Sequence, residues 1–237
     1  MATRSRASSR RETTERPTLG VSYELWLADR HEVENLDRYR NHYDTVCKEL
    51  LGSFEQSMFW QAVIRELPNI DGEYALANKF PLITTFDPAI LAKPWLSFLE
   101  KSYRKNVAEN PEFPNPPNEG WCLPPNWYSQ IHDIVRTTIV VKYIDGVPLV
   151  LDRLKDVASA TGFDCDAQLE TRETGYYGAH FNVKKACEIS TMAWSKDTRV
   201  IELEIQITTQ IKDVISRLLH TYYESQRVTR RRATLSD

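Results

Sequence analysis

Apolar and polar positions alternate strictly over residues 201–208: Ile201, Leu203, Ile205 and Ile207 against Glu202, Glu204, Gln206 and Thr208. Successive side chains of a strand point to opposite faces, so this spacing predicts a half-buried strand whose outer face carries acids and amides. A denser apolar run, Ile134 to Val141, predicts a strand buried on both faces and entered from Asp133. Asp164 to Glu170 and Phe181 to Lys184 read as further strands. Helical spacing dominates elsewhere. Leu36, Tyr39, Tyr43, Val46 and Leu50 define a helix stopped at Gly52-Ser53. Phe54, Met58, Trp60, Ile64 and Leu67 define a second, ending before Pro68. Asp87-Pro88 opens a helical region whose main segment starts at Lys93-Pro94-Trp95, since proline suits a first helical turn. Val150, Leu151, Leu154, Val157 and Ala158 mark a helix entered at Gly146 and closed by Gly162. Ile211, Val214, Ile215, Leu218, Leu219 and Tyr222 form the apolar stripe of a last helix, placed to pack on the body.

From Asp133 onward the order is therefore strand, helix, three strands, helix. That order implies an α/β (α+β) domain with a mixed sheet flanked by helices, preceded by a helical N-terminal part. The prolines between Asn110 and Pro125 mark a loop suited to be a flexible lid over a site. The expected organisation is a basic tail over 1–19, one domain over 20–225 and a second basic tail over 226–237.

Composition narrows the class. Hydrophobic residues make up 41% and charged residues 27% of the 237, as in ordinary globular chains. No apolar run reaches the roughly 18 residues of a membrane span, and the N-terminus lacks the apolar core of a secretory signal. Cys47, Cys122, Cys165 and Cys187 show no CxxC spacing, which argues against zinc and fits a reducing cytoplasm. The net charge of −3 is uneven. Arg4, Arg6, Arg10, Arg11 and Arg16 crowd the N-terminus and Arg227, Arg230, Arg231 and Arg232 the C-terminus, leaving the body acidic. Basic ends can reach a nucleic acid or simply be solvated.

Three polar features fall at sheet positions: Asp133 at a strand entry, Tyr176 and His180 at a glycine turn, and Glu204 on the alternating strand. Carboxylates on neighbouring strands can hold a divalent cation through oxygen, with substrate phosphates completing its shell. A tyrosine by a glycine turn can stack on a base. Lys93, Ser97 and Lys101, spaced by four, share one helix face that can take phosphates or face solvent. Together these features point to nucleotide chemistry with magnesium.

His132-Asp133-Ile134-Val135-Arg136, Gly175-Tyr176-Tyr177-Gly178-Ala179-His180 and Glu204-Ile205-Gln206-Ile207-Thr208-Thr209, in this order, resemble the motifs of RelA/SpoT synthetase domains. The resemblance spans residues 93–223 and includes the K-x-x-x-S-x-x-x-K spacing of Lys93, Ser97 and Lys101. It implies a nucleotidyltransferase-like fold and transfer of the β,γ-pyrophosphate of ATP to a 3′-hydroxyl, releasing AMP and making (p)ppGpp-type alarmones. By carry-over, Asp133 binds Mg²⁺, and Glu204 shares the metal or acts as base. Tyr176 stacks on the acceptor base, His180 orients acceptor or phosphate groups and Gln206 supports the site. Lys93, Ser97 and Lys101 hold ATP, and Arg172 meets acceptor phosphates. The chain departs from the motifs at Leu91, where an adenine-stacking arginine is usual, leaving Arg104 as the candidate substitute. It departs again at Gly178, at Thr208 and in the strand arginine, here Arg136. The length leaves no room for the hydrolase and sensor domains of longer members, so the resemblance implies a small single-domain synthetase. The acceptor stays open between GDP or GTP, an adenine nucleotide and the tRNA 3′ end. The last would make the chain a toxin neutralised by an antitoxin. A homo-oligomer and a catalytically inactive binding module are the remaining alternatives.

Overall fold

The computed structural model describes residues 15–171, 177–193 and 195–219. Most of both basic tails lies outside them. Five strands form one mixed sheet in the order β1-β2-β5-β4-β3. These are β1 (Leu91–Ala92), β2 (Val135–Val141), β3 (Asp164–Thr171), β4 (Tyr177–Ser190) and β5 (Lys196–Thr209). β2 and β5 run parallel, and every other pairing is antiparallel. The helices are α1 (Val21–His31), α2 (Leu36–Glu55), α3 (Met58–Asn78), α4 (Trp95–Tyr103), α5 (Trp127–Gln130) and α6 (Gly146–Thr161), followed by α7 (residues 210–219). Among the described residues no helix is long and apolar enough to cross a membrane, and the four cysteines are free.

The alternation on β5 does what the spacing predicts. Ile201, Leu203, Ile205 and Ile207 are buried, while Glu202, Glu204, Gln206 and Thr208 lie on the other face. Phe181 and Val183 on β4 share the apolar face, and Phe59 of α3 stacks on Phe181 at 6.2 Å between ring centroids. Burying each such side chain is worth about 1.5–3 kcal/mol. α6 packs against both this face and α3. Gly146 opens α6 because a Cβ there would meet Leu82 at 2.3 Å. A smaller cluster of Tyr23, Leu27, Val33, Leu99 and Val107 seats α1 on α4.

Several boundaries differ from the sequence reading, each for a tertiary reason. α2 runs through Gly52-Ser53, and α3 runs through Pro68. Beyond Pro68, α3 is held by buried Ile70, by the Asp71 carboxylate accepting from Leu82 and Ile83 N–H groups, and by the Tyr74 hydroxyl donating to Asp145. Such anchors outweigh one lost helical hydrogen bond. No helix starts at Asp87-Pro88. Instead Leu91 and Ala92 pair with Arg136 and Val135, and Lys93 N–H donates to Ile134 at 2.8 Å. This edge pairing holds Lys93 just before α4. β4 and β5 form a hairpin much longer than Phe181–Lys184 and 201–208 suggested. Lys185 hides the continued alternation: it sits on the core-side register but reaches out to donate to the Ser53 carbonyl at 2.6 Å.

The Glu49 carboxylate fastens the hairpin tip to α2, accepting from Ser190 N–H at 2.8 Å and Ser190 Oγ at 2.6 Å and pairing with Lys196. Burial opposes its ionisation, but the Lys196 and Ser190 hydrogen bonds prevail and its pKa lies below the ordinary value. Glu49→Ala is expected to destabilise the fold by about 2 kcal/mol in chemical denaturation, the scale of lost hydrogen bonds to a charged group. A depressed folded pKa means this contribution is present above the unfolded pKa and disappears as pH falls through the folded one. The gap between variant and parent should therefore close in acid.

The proline-rich segment is pinned rather than lid-like. α4 continues into a π-helix, Arg104–Ala108, which turns Asn106 fully inward. The Asn106 side chain accepts from Cys122 N–H and donates to the Cys122 carbonyl. Asn110 donates to the carbonyls of Asn106 and Asn115, and Asn126 donates to that of Trp121. Buried polar groups paired this thoroughly fix a loop in one conformation. α7 also departs from expectation: Ile211, Val214, Ile215, Leu218 and Leu219 are exposed by 46–72% instead of packed on the body. Tyr222 lies outside the described residues.

Candidate active site

The polar face of the sheet collects side chains from four strands. Directly paired residues share a face, so Asp166, Asn182, Glu204 and Arg136 form one row across β3, β4, β5 and β2. Gln168, His180, Gln206 and Thr138 form the next. Sequence reading picked Glu204, His180 and Gln206 from these rows. It passed over Asn182 and noted Arg136 only as a displaced motif residue. The alternation of His180, Asn182 and Lys184 with Phe181 and Val183 was the available signal.

His180 contacts Glu204 rather than open space. Its Nδ1 lies 2.7 Å from Glu204 Oε1, and its Nε2 is 3.9 Å from Glu170 Oε1. Burial would raise the Glu204 pKa, and the charge of Asp133 adds to this. Hydrogen bonds from His180 and Gln206, with the His180 charge, outweigh both and hold it below the ordinary carboxylate value. Glu204 is thus ionised at neutral pH and a weak proton acceptor by itself.

The second cluster lies at the β2 entry. Asp133 receives Lys93 on Oδ2 and Lys101 beside Oδ1, each at 2.7 Å. Lys93 is only 8% exposed and is held by its backbone pairing and by the Tyr43 hydroxyl, which donates to its carbonyl. The expected lysine stripe therefore converges, although Lys93 precedes the helix and only Ser97 and Lys101 lie on α4. The Lys101 contact is an ion pair without hydrogen-bond alignment, so Oδ1 is buried with no directed donor. Burial opposes ionisation of Asp133, but the two ammoniums prevail and lower its pKa. Arg104 does not join this cluster. It is half exposed on the π-helix and pairs with Glu109 at 3.8 Å. Tyr176 and Arg172 lie outside the described residues.

Two ionised carboxylates, one with an undirected buried oxygen, form a hard oxygen donor set that suits magnesium better than zinc. Among the described residues no group of three or more His, Cys, Asp or Glu side chains could hold a metal ion. A cation here would complete its shell with water or phosphate oxygens, as magnesium commonly does. Beside these rows opens a groove of about 730 Å³, lined by Arg136, Thr138 and Gln206, by Leu91 and by α7. Its volume is in the range of nucleotide-sized ligand sites.

No protein-family model matches the chain, and no curated protein does. Among solved structures, the chain is similar to the small alarmone synthetase 1 of Bacillus subtilis bound to AMPCPP, at 20% identity over 80% of each chain and a TM-score of 0.44. A second structure of that synthetase gives 21% identity, 70% and 76% coverage of this and that chain, and a TM-score of 0.42. A Streptococcus mutans protein gives 18%, 76% and 84%, and 0.45.

Proposed function

We propose that the chain is an ATP-dependent pyrophosphotransferase. It moves the β,γ-pyrophosphate of ATP to the 3′-hydroxyl of a guanosine or adenosine nucleotide and releases AMP. The observation that carries this reading is a pair of charged clusters near enough for the charge of Asp133 to act on Glu204, one at the entry to β2 and one on the neighbouring strand β5. Asp133 gathers two ammoniums, and Glu204 is held ionised by His180 and Gln206 beside a nucleotide-sized groove. Phosphoryl-type transfer depends on positioning and electrostatics more than on covalent participation by the protein, and these clusters supply both. The ordered motifs around Asp133, His180 and Glu204 support the same reaction.

Lys93 and Lys101 bind donor phosphates. Lys93 has little freedom, so it fixes their height above the sheet, while Lys101 adapts from α4. Asp133 and Glu204 are the residues that would hold Mg²⁺, which when bound neutralises charge on the donor phosphates. Glu204 accepts the hydrogen bond of the acceptor hydroxyl, and His180 and Gln206 keep its carboxylate aimed. His180 is therefore a positioning residue for Glu204, a different part from orienting phosphates.

Incubation with γ-labelled ATP, Mg²⁺ and either guanosine nucleotides, adenine nucleotides or deacylated tRNA tests the reading. Label should move to a nucleotide acceptor with one AMP released per transfer. Label confined to tRNA would make the 3′ end of that RNA the acceptor, and such binding should weaken steeply with salt. Label on no acceptor would sink the enzymatic reading and leave a binding module.

A further inference from the structure

The apolar face of the sheet continues past the core. On β5, Arg199 and Asp197 fall on the same side as buried Ile201 and Leu203, and so on the side opposite Glu204 and Gln206. Where this side leaves the core, a pocket of about 400 Å³ opens towards the hairpin tip. Its walls include Tyr39 and His42 of α2, Trp127 and Tyr128 of α5, Ile189 of β4 and Arg199. Among the described residues it shares no lining with the groove beside Gln206. Its size and its aromatic and aliphatic lining suit one small ligand. The walls are also set in advance. Glu49 fixes the hairpin tip at Ser190, and His42 Nε2 donates to the Ser190 carbonyl at 2.7 Å. Asn126 holds the turn before Trp127 by accepting from Leu123 N–H and donating to the Trp121 carbonyl.

Two polar groups in these walls have hydrogens left to donate. Tyr128 is 9% exposed, and its hydroxyl is buried with no hydrogen-bond partner among the described residues. A buried hydroxyl left unpaired is costly and calls for a partner. Burial pushes its pKa far above the ordinary phenol value, so it stays a donor. Arg199 stands at the open side, with 42% of its side chain exposed and its Nε 2.7 Å from Asp197 Oδ2. That bond leaves the terminal nitrogens of the guanidinium to donate elsewhere. An aromatic-walled slot with a hydroxyl at its buried end and a guanidinium at its open end matches a particular ligand shape. It suits an aromatic ring with an oxygen acceptor on one side and a carboxylate on the other.

Tyr128 also links the pocket to the charged cluster at the β2 entry. Its ring is parallel to that of Tyr43, with centroids 6.5 Å apart and planes within 9°. The Tyr43 hydroxyl donates to the Lys93 carbonyl at 2.6 Å, and Lys93 pairs with Asp133. The chain itself runs from Tyr128 through the end of α5 to Asp133. A ligand that orders Tyr128 therefore bears on the Lys93–Asp133 pair through a contiguous set of packed groups.

We propose that this pocket is an effector site for a small aromatic carboxylate, coupled through Tyr128 and Tyr43 to the cluster at Asp133. The site stands apart from the donor reading above, and only the readout of its coupling rests on that reading.

Calorimetric titration with 4-hydroxyphenylacetate and with phenylacetate tests the site. The parent should bind both, the hydroxylated acid about fivefold more tightly, the scale of one added hydrogen bond. Y128F should bind the two acids equally, with phenylacetate affinity unchanged. In urea Y128F should be at least as stable as the parent, because it removes a hydroxyl that bonds to nothing. R199Q should weaken both acids by about tenfold, the scale of a lost charged hydrogen bond. Its exposed position keeps the test decisive should Y128F fail to fold. Inorganic tripolyphosphate with Mg²⁺, titrated with and without saturating 4-hydroxyphenylacetate, tests the coupling. Its affinity should rise by about fivefold, and the acid should gain the same factor from tripolyphosphate. No binding of either acid by the parent, or affinities that neither variant changes, would overturn the site. Acid binding that leaves tripolyphosphate affinity unchanged would overturn the effector role. A parent that binds the acids as described but never binds tripolyphosphate would support the site and defeat the donor reading instead.

Discussion

Glu204→Gln should lower pyrophosphate transfer by at least about a hundredfold while leaving the fold intact. The substitution is nearly isosteric and keeps an oxygen for His180 Nδ1, now 2.7 Å from the carboxylate. It removes the negative charge that would hold a cation and accept the reacting hydroxyl, and losses of this order follow removal of such a group. The structural cost should be small, because the glutamine oxygen still accepts from His180 Nδ1 and His180 Nε2 keeps Glu170 at 3.9 Å. Since the Glu204 pKa is depressed in the fold, its ionised form contributes stability above the unfolded carboxylate pKa. That contribution is lost as pH falls through the folded value. The variant should therefore melt near the parent temperature in acid and slightly below it at neutral pH. Turnover measured with saturating ATP and acceptor checks the main claim, and near-parental turnover would remove Glu204 from the chemistry.

The pattern on β5 was legible because a strand with one buried face writes its geometry into every second residue. Ile201 to Ile207 fall on the core side, and the polar set falls on the site side. α6 was equally plain, with Gly146 and Gly162 bounding an apolar stripe. Where reading failed, local signals competed with distant contacts. Pro68 signals a helix end, but Ile70, Asp71 and Tyr74 hold the helix beyond it. Lys185 interrupts an alternation that continues to Ile189, because its ammonium leaves the core for Ser53. α7 reads as a packed amphipathic helix, yet its apolar side is outward. Spacing defines a stripe but not what lies opposite it. The site divides in the same way. Asp133, Glu204, Lys93 and Lys101 were identifiable by type and order. The pairing of His180 with Glu204 and the row that includes Asn182 and Arg136 depend on strand register across β2, β5 and β4, which no single segment encodes.

Asp133→Asn is expected to be the more damaging change to the protein as a whole, because it strikes stability and chemistry together. Lys93 is 8% exposed, and Asp133 Oδ2 is its counter-charge at 2.7 Å. Removing one member of a largely buried pair strands the other, at a cost of about 3 kcal/mol. Lys101 adds little to that cost, since at 27% side-chain exposure its ammonium can turn to water. The two effects separate in a double variant. Lys93→Met combined with Asp133→Asn removes the stranded charge and keeps an unbranched side chain of similar length, so most of the lost stability should return in urea denaturation. Transfer activity should stay at least about a hundredfold below the parent, because neither the carboxylate nor the phosphate-binding ammonium is restored. Acid provides an independent check. The Asp133 pKa is lowered in the fold, so the parent loses this stabilisation as pH drops through that value, and Asp133→Asn has none to lose. The stability difference between the two should shrink steadily below the ordinary carboxylate pKa. A difference that persists unchanged into strong acid would mean that the pair with Lys93 does not set the cost of losing Asp133.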